Sequence, residues 1–233
     1  MKGPALIIMT RAPVPGRVKT RLQPRLSPEQ CARLHTAFLK DILNMALSIP
    51  NFTTFLAYTP QKSHWLFKDI VPEQVKTFPQ TGRSLGQKMC NAMRRVGERG
   101  YSPVIIVGSD IPLLQPATLY RAIDALGRCD ICLGPSLDGG YYITGACQIH
   151  EPIFQDIPWS TPNVLDATLD KVRQAGLSLA MLEYYRDIDT YADLELLCKS
   201  IEALTGIPGS TIPINTLDYL KESGIQKAPL SGI

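Results

Sequence analysis

ALIIMTRAPVPGRVKTRL, residues 5–22, is the stretch that decides the fold. It opens with Ala5–Met9, a short continuous apolar run that is typical of a strand in a parallel sheet covered on both faces. A loop follows this run directly, at the carboxyl end of the strand, where open α/β sheets bind their ligands. The stretch therefore predicts an α/β fold with a binding loop after its first strand.

The composition of this loop indicates a phosphate-binding site. Arg11, Lys19 and Arg21 supply positive charge, Thr20 supplies a hydroxyl, and Gly16 permits close approach of the backbone to an anion. The spacing differs from a Walker A loop, in which the lysine follows the glycine directly. A solvated basic loop closed by a Pro-Gly turn explains the same residues equally well.

Length and composition limit the class of protein. The chain has 233 residues, 45% of them hydrophobic, which favours a single domain over residues 1–233 with a tail at 205–233 rich in Gly, Pro and Ser. A formal charge of +3 argues against nucleic acid or a membrane surface as the main partner. The absence of a secretory or membrane-spanning pattern predicts a cytoplasmic protein with six reduced cysteines.

Seven strand-like runs alternate with helical patterns, which is the rhythm of an α/β fold. The runs are Ala5–Met9, Phe52–Tyr58, Val75–Phe78, Val104–Val107, Asp130–Leu133, Tyr141–Gly145 and Leu177–Leu182. Capping signals predict helices that begin after Ser27, after Ser84, at Thr161-Pro162 and after Thr190.

An acidic residue follows the most apolar of these runs. Val104–Val107 leads into Ser109 and Asp110, and a desolvated carboxylate at a strand end needs a cation, a metal or backbone donors. With the basic loop nearby, Asp110 indicates a phosphate-bearing ligand, and Ser109 is predicted to bind its phosphates. Capping of the turn before Pro112 is the alternative for Asp110.

Two further acidic turns follow later strands. Asp138, next to Gly139 and Gly140, is predicted to act as the catalytic base in a loop that lines the acceptor side, although a plain hairpin turn explains Asp-Gly-Gly equally well. Asp187 and Asp189 form the third turn, and one of the two is expected only to cap a helix.

The histidines suggest no catalytic triad. His35 falls within the first helix, and all three are interpreted as structural or surface residues. This leaves metal-assisted phosphate chemistry as the reaction type that the residues best support.

The ordered set of motifs resembles a known family. APVPGRVKTRL, SLGQKM, GSDIPLL, GPSLDGGYYITG, WSTPNVL and DIDTYADL, over about residues 5–197, are similar to bacterial glycosyltransferase-A-type proteins grouped as DUF2064 with the enzyme proposed for arsenosugar biosynthesis. KTRL and SDIPLL also resemble guanylyltransferases that act on phospholactate or phosphoenolpyruvate. DIDTYADL resembles the late motif of sugar-acid cytidylyltransferases.

The resemblance implies both a fold and a metal site. The fold is a three-layer α/β sandwich with a mainly parallel, Rossmann-like sheet of the glycosyltransferase-A, SpsA-like nucleotide-diphospho-sugar transferase type. The metal is Mg²⁺ or Mn²⁺, carried over to Asp110 and Asp189. The chain departs from metal-dependent glycosyltransferases because Pro112 replaces the second acid of their Asp-x-Asp motif.

Three functions follow from this comparison. The leading hypothesis is a transferase that moves a sugar from a nucleotide-diphospho-sugar to a small-molecule acceptor. The second is a nucleotidyltransferase that uses a nucleoside triphosphate and a phosphorylated small molecule, and the third is a non-catalytic nucleotide-binding protein. A homodimer is left open.

Overall fold

A computed structural model describes residues 2–204, 207 and 209–225 of the protein. The strands are β1 (Ala5–Arg11), β2 (Thr53–Thr59), β3 (Lys76–Pro79), β4 (Val104–Gly108), β5 (Ile131–Pro135), β6 (Tyr141–Ala146) and β7 (Leu179–Met181). The helices are α1 (Pro28–Leu47), α2 (Leu85–Gly97), α3 (Pro116–Leu126), α4 (Val164–Gln174), α5 (Tyr191–Leu204) and α6 (Ile214–Glu222). Short 3-10 helices lie at Thr20–Leu22, Gln61–Phe67 and Glu151–Phe154.

The seven strands form one sheet in the order β3-β2-β1-β4-β6-β5-β7. All neighbouring pairs are parallel except those of β6, which runs antiparallel to both β4 and β5. Because β6 is reversed, its first residue lies at the edge where the other strands end. The loops after β1, β4, β5 and β7 therefore meet at one edge of the sheet.

Strand β1 shows how the layers form. Leu6 and Ile8 pack on one face of the sheet in a cluster with α1 and α3, while Ala5 and Ile7 pack on the other in a cluster with α2 and α4. Successive side chains of a strand point to opposite faces, so a continuous apolar run buries both. The expected three-layer α/β sandwich with a mainly parallel sheet is confirmed.

The predicted helix starts are found with two adjustments. Ser27 forms the full capping box with Gln30, but at α2 the Gln87 side chain accepts from Arg83 N instead of Ser84 N. Helix α4 begins at Val164, beyond the predicted start, and in the turn before it Thr161 Oγ1 donates to the carbonyl of Pro158.

Helices α3 and α6 were not predicted. Helix α6 falls in the tail that was noted for its Gly, Pro and Ser, and it packs with α1 and α5 in a third apolar cluster. Asp41 of α1 caps it: Oδ1 accepts from Asn215 N (2.9 Å) and Nδ2 (2.8 Å), and Oδ2 accepts from Thr216 N (2.8 Å) and Oγ1 (2.5 Å). The last part of the predicted tail, 226–233, lies outside the described residues.

Candidate functional site

A cavity of about 640 Å³ opens at the edge where the strands end. Its walls come from the ends of β1, β2 and β4, the start of β6, the segment after β7 and the first turn of α2. This is the position at which open α/β sheets bind ligands. Of the residues predicted from sequence, the cavity is lined by Arg11, Lys19, Thr20, Arg21, Ser109, Asp110 and Asp189.

Gly16 lies outside the cavity lining. It is exposed, with φ +77°, and turns the chain between β1 and the 3-10 helix at Thr20–Leu22. Val18 and Leu22 are buried and anchor the loop on either side of Lys19. The loop therefore directs Lys19 inward, whereas Gly16 supplies the turn.

Lys19 is the centre of the site. Its side chain is only 2% exposed, and its Nζ lies 2.9 Å from Asp110 Oδ1 and 3.3 Å from Asp189 Oδ1. It also donates to the carbonyl of Ile188 at 2.6 Å. Two oxygens at these distances from one nitrogen are at most 6.2 Å apart, so the structure brings together two acids that are far apart in the sequence.

The main chain fixes the alignment of these two acids. Ile188 N donates to Asp110 O at 3.0 Å, and the Ile188 side chain is buried. The end of β4 is thereby joined to the segment that carries Asp189. The pairing does not depend on a side-chain contact between the acids.

Asp110 has a buried carboxylate oxygen with two side-chain nitrogens close to it. Its Oδ1 is buried, although the side chain as a whole is partly exposed, and it lies 3.6 Å from His35 Nδ1. Burial alone would raise the pKa of Asp110, but Lys19 and His35 outweigh it and hold that pKa well below its usual range. Neither nitrogen is aligned for a hydrogen bond to Oδ1, so this oxygen has the charged Lys19 beside it but no directed donor.

His35 belongs to the site despite its interpretation from sequence as a structural or surface residue. It is buried on α1, and its Nε2 lies 3.0 Å from Arg11 O and 3.1 Å from Thr10 Oγ1. Its Nδ1 is buried without a hydrogen-bond partner. The sequence did not indicate this role, because a histidine on the apolar face of a helix is usually a buried residue of the core.

Asp187 is the acid that sequence reasoning underrated. It lines the cavity, and its Oδ2 accepts a hydrogen bond of 2.8 Å from the buried Ser136. Burial raises its pKa to about 7; the Ser136 bond opposes this, while Asp110, Asp138 and Asp189 add to it. In an extended segment, residues two apart face the same side, so the pair Asp187 and Asp189 carried a signal for two acids in one cavity.

The helix-capping role expected of this turn falls instead on Asp193. Its Oδ2 accepts from Thr190 N at 2.9 Å at the start of α5. Asp187 and Asp189 are consequently both free to face the cavity. We call Asp110, Asp187 and Asp189 the acidic cluster.

The predicted acceptor loop lies beside the cavity lining. Asp138 is exposed, and its Oδ1 accepts from Gly140 N at 2.9 Å. A Cβ on Gly139 would lie 2.1 Å from the carbonyl oxygen of Pro162, so this glycine allows the loop to pack against the segment before α4. The role of Asp138 as base stays a prediction, and Asp187 occupies the position nearer the cavity.

Positive charges in the cavity divide into two groups. Lys19 and Arg21 contact the acidic cluster, with Arg21 exposed and 3.4 Å from Asp189. Arg11, Arg17 and Lys88 also line the cavity and, among the described residues, pair with no carboxylate. The last two were missed because they lie outside the KTRL motif or in α2.

The other wall of the cavity is largely apolar. Leu85 and Met89 of α2 face Tyr141 and Trp159, whose rings meet edge to face at 6.1 Å. The cavity therefore has a charged end and a less polar end.

Comparison with known proteins identifies the family. The family model described as "uncharacterized protein conserved in bacteria (DUF2064)" matches residues 42–161, just over half of the chain. The chain belongs to this family. The resemblance of the sequence motifs to this family is thus confirmed.

The DUF2064 protein is also similar to individual proteins. It is 30% identical over 132 residues to the 2-phospho-L-lactate guanylyltransferase of Methanobrevibacter ruminantium. The alignment covers 52% of this chain and 55% of the relative, so it spans about half the length of that enzyme.

Solved structures extend the likeness over the whole fold. A candidate nucleotide-diphospho-sugar transferase from Desulfovibrio desulfuricans G20 is 28% identical, with a TM-score of 0.86 and 96% of both chains covered. A cytidylyltransferase from Leptospira borgpetersenii is 14% identical, with a TM-score of 0.56 and 100% and 99% covered, which shows a shared fold alone. The DUF2064 protein has the fold of nucleotidyl and nucleotide-sugar transferases, and its relatives support a transferase-type enzyme.

Two further observations concern membranes and metals. Within residues 2–204, 207 and 209–225, no helix has the length and apolar character required to cross a bilayer. Over the same residues, no group of three or more His, Cys, Asp or Glu side chains is arranged as a metal site.

Proposed function

We propose that the protein is a metal-dependent nucleotidyltransferase. In this reaction an oxygen of a phosphorylated small molecule attacks the α-phosphorus of a nucleoside triphosphate, the bond between α- and β-phosphates breaks, and pyrophosphate leaves. The observation that carries the proposal is that Asp110 and Asp189 both contact the ammonium of Lys19. They do so in a cavity that is also lined by basic side chains without a carboxylate partner among the described residues. The guanylyltransferase relative supports it.

Three cations would bind the triphosphate. Arg11, Arg17 and Lys88 line the cavity and are not neutralised by any carboxylate in the described residues. Charge-assisted bonds to phosphate are the strongest polar contacts such side chains make. The polar wall of the cavity also includes Thr20 and Arg21 of the loop after β1, and Ser109, which precedes Asp110 in the sequence.

The residues fit a divalent metal such as Mg²⁺ or Mn²⁺. Hard cations prefer carboxylate oxygens together with substrate phosphates, and the buried Asp110 Oδ1 has no directed hydrogen-bond donor. Asp110 and Asp189 would hold the ion, which would neutralise charge on the phosphates. This use of two protein ligands agrees with the lack of a larger ligand cluster in the described chain.

Nucleotidyl transfer also explains the single acid after β4. Asp110 is followed by Ile111 and Pro112 where metal-dependent glycosyltransferases carry a second acid. In addition, a phosphate oxygen of the acceptor is already ionised at neutral pH and needs no base, so this reaction makes no demand on the exposed Asp138.

Sugar transfer is the second candidate. The Desulfovibrio protein, alike over 96% of both chains, supports it. The apolar wall formed by Tyr141 and Trp159 could pack against a sugar ring. A hydroxyl acceptor would need a base, and Asp187, with its pKa raised to about 7 mainly by burial, is placed nearer the cavity than Asp138.

Product analysis separates the candidates. The protein is incubated with Mg²⁺ and each nucleoside triphosphate plus phosphorylated small acids, or with nucleotide-diphospho-sugars plus the unphosphorylated acids. Release of pyrophosphate supports nucleotidyl transfer, whereas release of nucleoside diphosphate supports sugar transfer. Thermal stabilisation by nucleotide without turnover would favour the non-catalytic reading.

Matched variants show whether the turnover belongs to this site. Asp110→Asn should abolish turnover. Asp124→Asn, which alters an exposed acid of α3 that pairs with Arg128, should leave turnover unchanged. Turnover that survives Asp110→Asn would contradict the proposed site. A homodimer and a cytoplasmic location stay predictions.

A further inference from the structure

Lys19 has an unusual position for a residue of a phosphate-binding loop. Its backbone is left-handed, with φ 49° and ψ 39°, a conformation in which non-glycine residues are uncommon. Its side chain is turned away from solvent, and its Nζ contacts Ile188 O, Asp110 Oδ1 and Asp189 Oδ1. Three oxygens around one buried ammonium form a cation site that the protein fills with its own side chain.

We propose that Lys19 acts as an internal counter-cation that competes with a divalent metal for Asp110 and Asp189. The inference rests on the proposed metal site and adds a role for the lysine that differs from permanent phosphate binding. In the metal-free protein the ammonium holds the two acids together. When metal and nucleotide bind, Nζ leaves the acids and becomes available to the phosphates.

Electrostatics requires this competition. Without Lys19, two carboxylates at most 6.2 Å apart would repel each other in a partly buried site. An ammonium within 3.3 Å of both oxygens offsets that repulsion, but the same position places a positive charge where a second cation would have to lie. Coulomb repulsion between ammonium and metal at such short range is substantial in this partly buried site.

Arg21 provides an internal comparison. It carries the same charge and contacts the same Asp189, at 3.4 Å, but its side chain is 68% exposed. Water screens it, and it touches only one of the two acids. Removing the charge of Arg21 should therefore affect metal binding much less than removing that of Lys19.

The inference predicts that metal and nucleotide bind cooperatively. Phosphate oxygens offer the ammonium a new partner, which lowers the free energy needed to take it from the acids. By linkage, each ligand then raises the affinity for the other by the same factor.

Manganese binding to the nucleotide-free protein tests the proposal. Free Mn²⁺ is measured by its electron paramagnetic resonance signal during titration of the wild type, Lys19→Met and Arg21→Met. Lys19→Met, which keeps the length of the side chain, should bind Mn²⁺ about tenfold more tightly or better, equivalent to about 1.4 kcal/mol. Arg21→Met should stay within about threefold of the wild type because its charge is screened. Equal or weaker binding by Lys19→Met overturns the proposal.

A second measurement covers the case in which Lys19→Met does not fold. A buried, hydrogen-bonded ammonium gives a slowly exchanging nitrogen-15 signal, which in the wild type should be assigned to Lys19 and should change on addition of Mg²⁺ with nucleotide. A signal that is unchanged when metal and nucleotide are bound overturns the proposal.

Asp110→Asn separates this inference from the proposed function. If wild type and Asp110→Asn bind Mn²⁺ equally with nucleotide present, the metal site itself is wrong and the inference falls with it. If binding depends on Asp110 but Lys19→Met does not tighten it, the metal site stands and only the competition is overturned.

Discussion

The buried acid of α1, Asp41, and the pair Asp110 and Asp189 find their hydrogen-bond and charge partners in opposite ways. Asp41 is 6% exposed and receives four hydrogen bonds, all from neutral donors at the start of α6. Asp110 and Asp189 share the one buried ammonium of Lys19, and Asp110 Oδ1 has no directed donor at all. Full hydrogen bonding is expected of an acid with a structural role, whereas incomplete hydrogen bonding is expected of acids that bind a ligand.

The sharpest contrast is expected at Asp110. Asp110→Asn should lower metal-dependent turnover by about 100-fold or more, because it removes charge stabilisation that the reacting phosphates need. Its unfolding free energy should fall by about 1 kcal/mol, because Lys19 and His35 favour the charged form of Asp110, while its partial exposure and the remaining Asp189 limit the loss. Initial rates and urea unfolding measure the two effects. A stability loss without loss of turnover would reverse the comparison.

Asp41 should show the opposite pattern. Asp41→Ala is expected to lower the unfolding free energy by about 2 to 4 kcal/mol, because it removes a helix cap and leaves buried donors unsatisfied. Chemical denaturation checks this, with Asp124→Ala as an exposed control expected to stay within about 0.5 kcal/mol. The folded fraction of Asp41→Ala should retain metal-dependent nucleotide binding; its specific loss would place Asp41 among the functional acids.

The smallest effect is expected from the pH response of Asp187. Its folded pKa of about 7 lies above the ordinary value of 3.8, mainly through burial, so the folded state binds a proton more readily than the unfolded chain. The protonated form of Asp187 therefore stabilises the folded state. This contribution to the free energy of unfolding is fully present below the ordinary pKa of 3.8 and is lost as the pH rises through about 7.

Melting temperatures measured between those limits test the assignment. The wild type should lose more stability as the pH rises than Asp187→Asn, which has no proton to lose. Asp124→Asn, altering an exposed acid of α3 that pairs with Arg128, should follow the wild type. Identical pH profiles for wild type and Asp187→Asn would remove Asp187 from the comparison.

The sheet and most helices could be predicted because their signals are local. The apolar run of β1 and the capping box at Ser27 each determine an element within a few residues. Helix α6 could not be found in this way, since its start is capped by Asp41, which is 174 residues away from Asn215. A cap supplied by a distant helix leaves no mark in the neighbouring sequence.

The site was predictable in its location but not in its pairing. Strand ends in a parallel sheet bring Asp110 and Asp189 to one edge, and that reasoning needs no coordinates. The inward turn of Lys19 depends on a left-handed backbone and on the buried anchors around it, so the sequence offered it to phosphate instead. The position of Lys19 in the loop could be predicted, but the direction of its side chain, which makes it a partner of the two acids, could not.

The main-chain bond from Ile188 N to Asp110 O has a consequence for divergence and engineering. Because a main-chain hydrogen bond aligns the segments that carry Asp110 and Asp189, the surrounding side chains can be substituted without moving these two acids. Residues of the apolar wall such as Leu85 and Trp159, or uncommitted cations such as Arg17, can then be exchanged to admit a different substrate. A library confined to those positions would explore new specificities on an inherited catalytic frame.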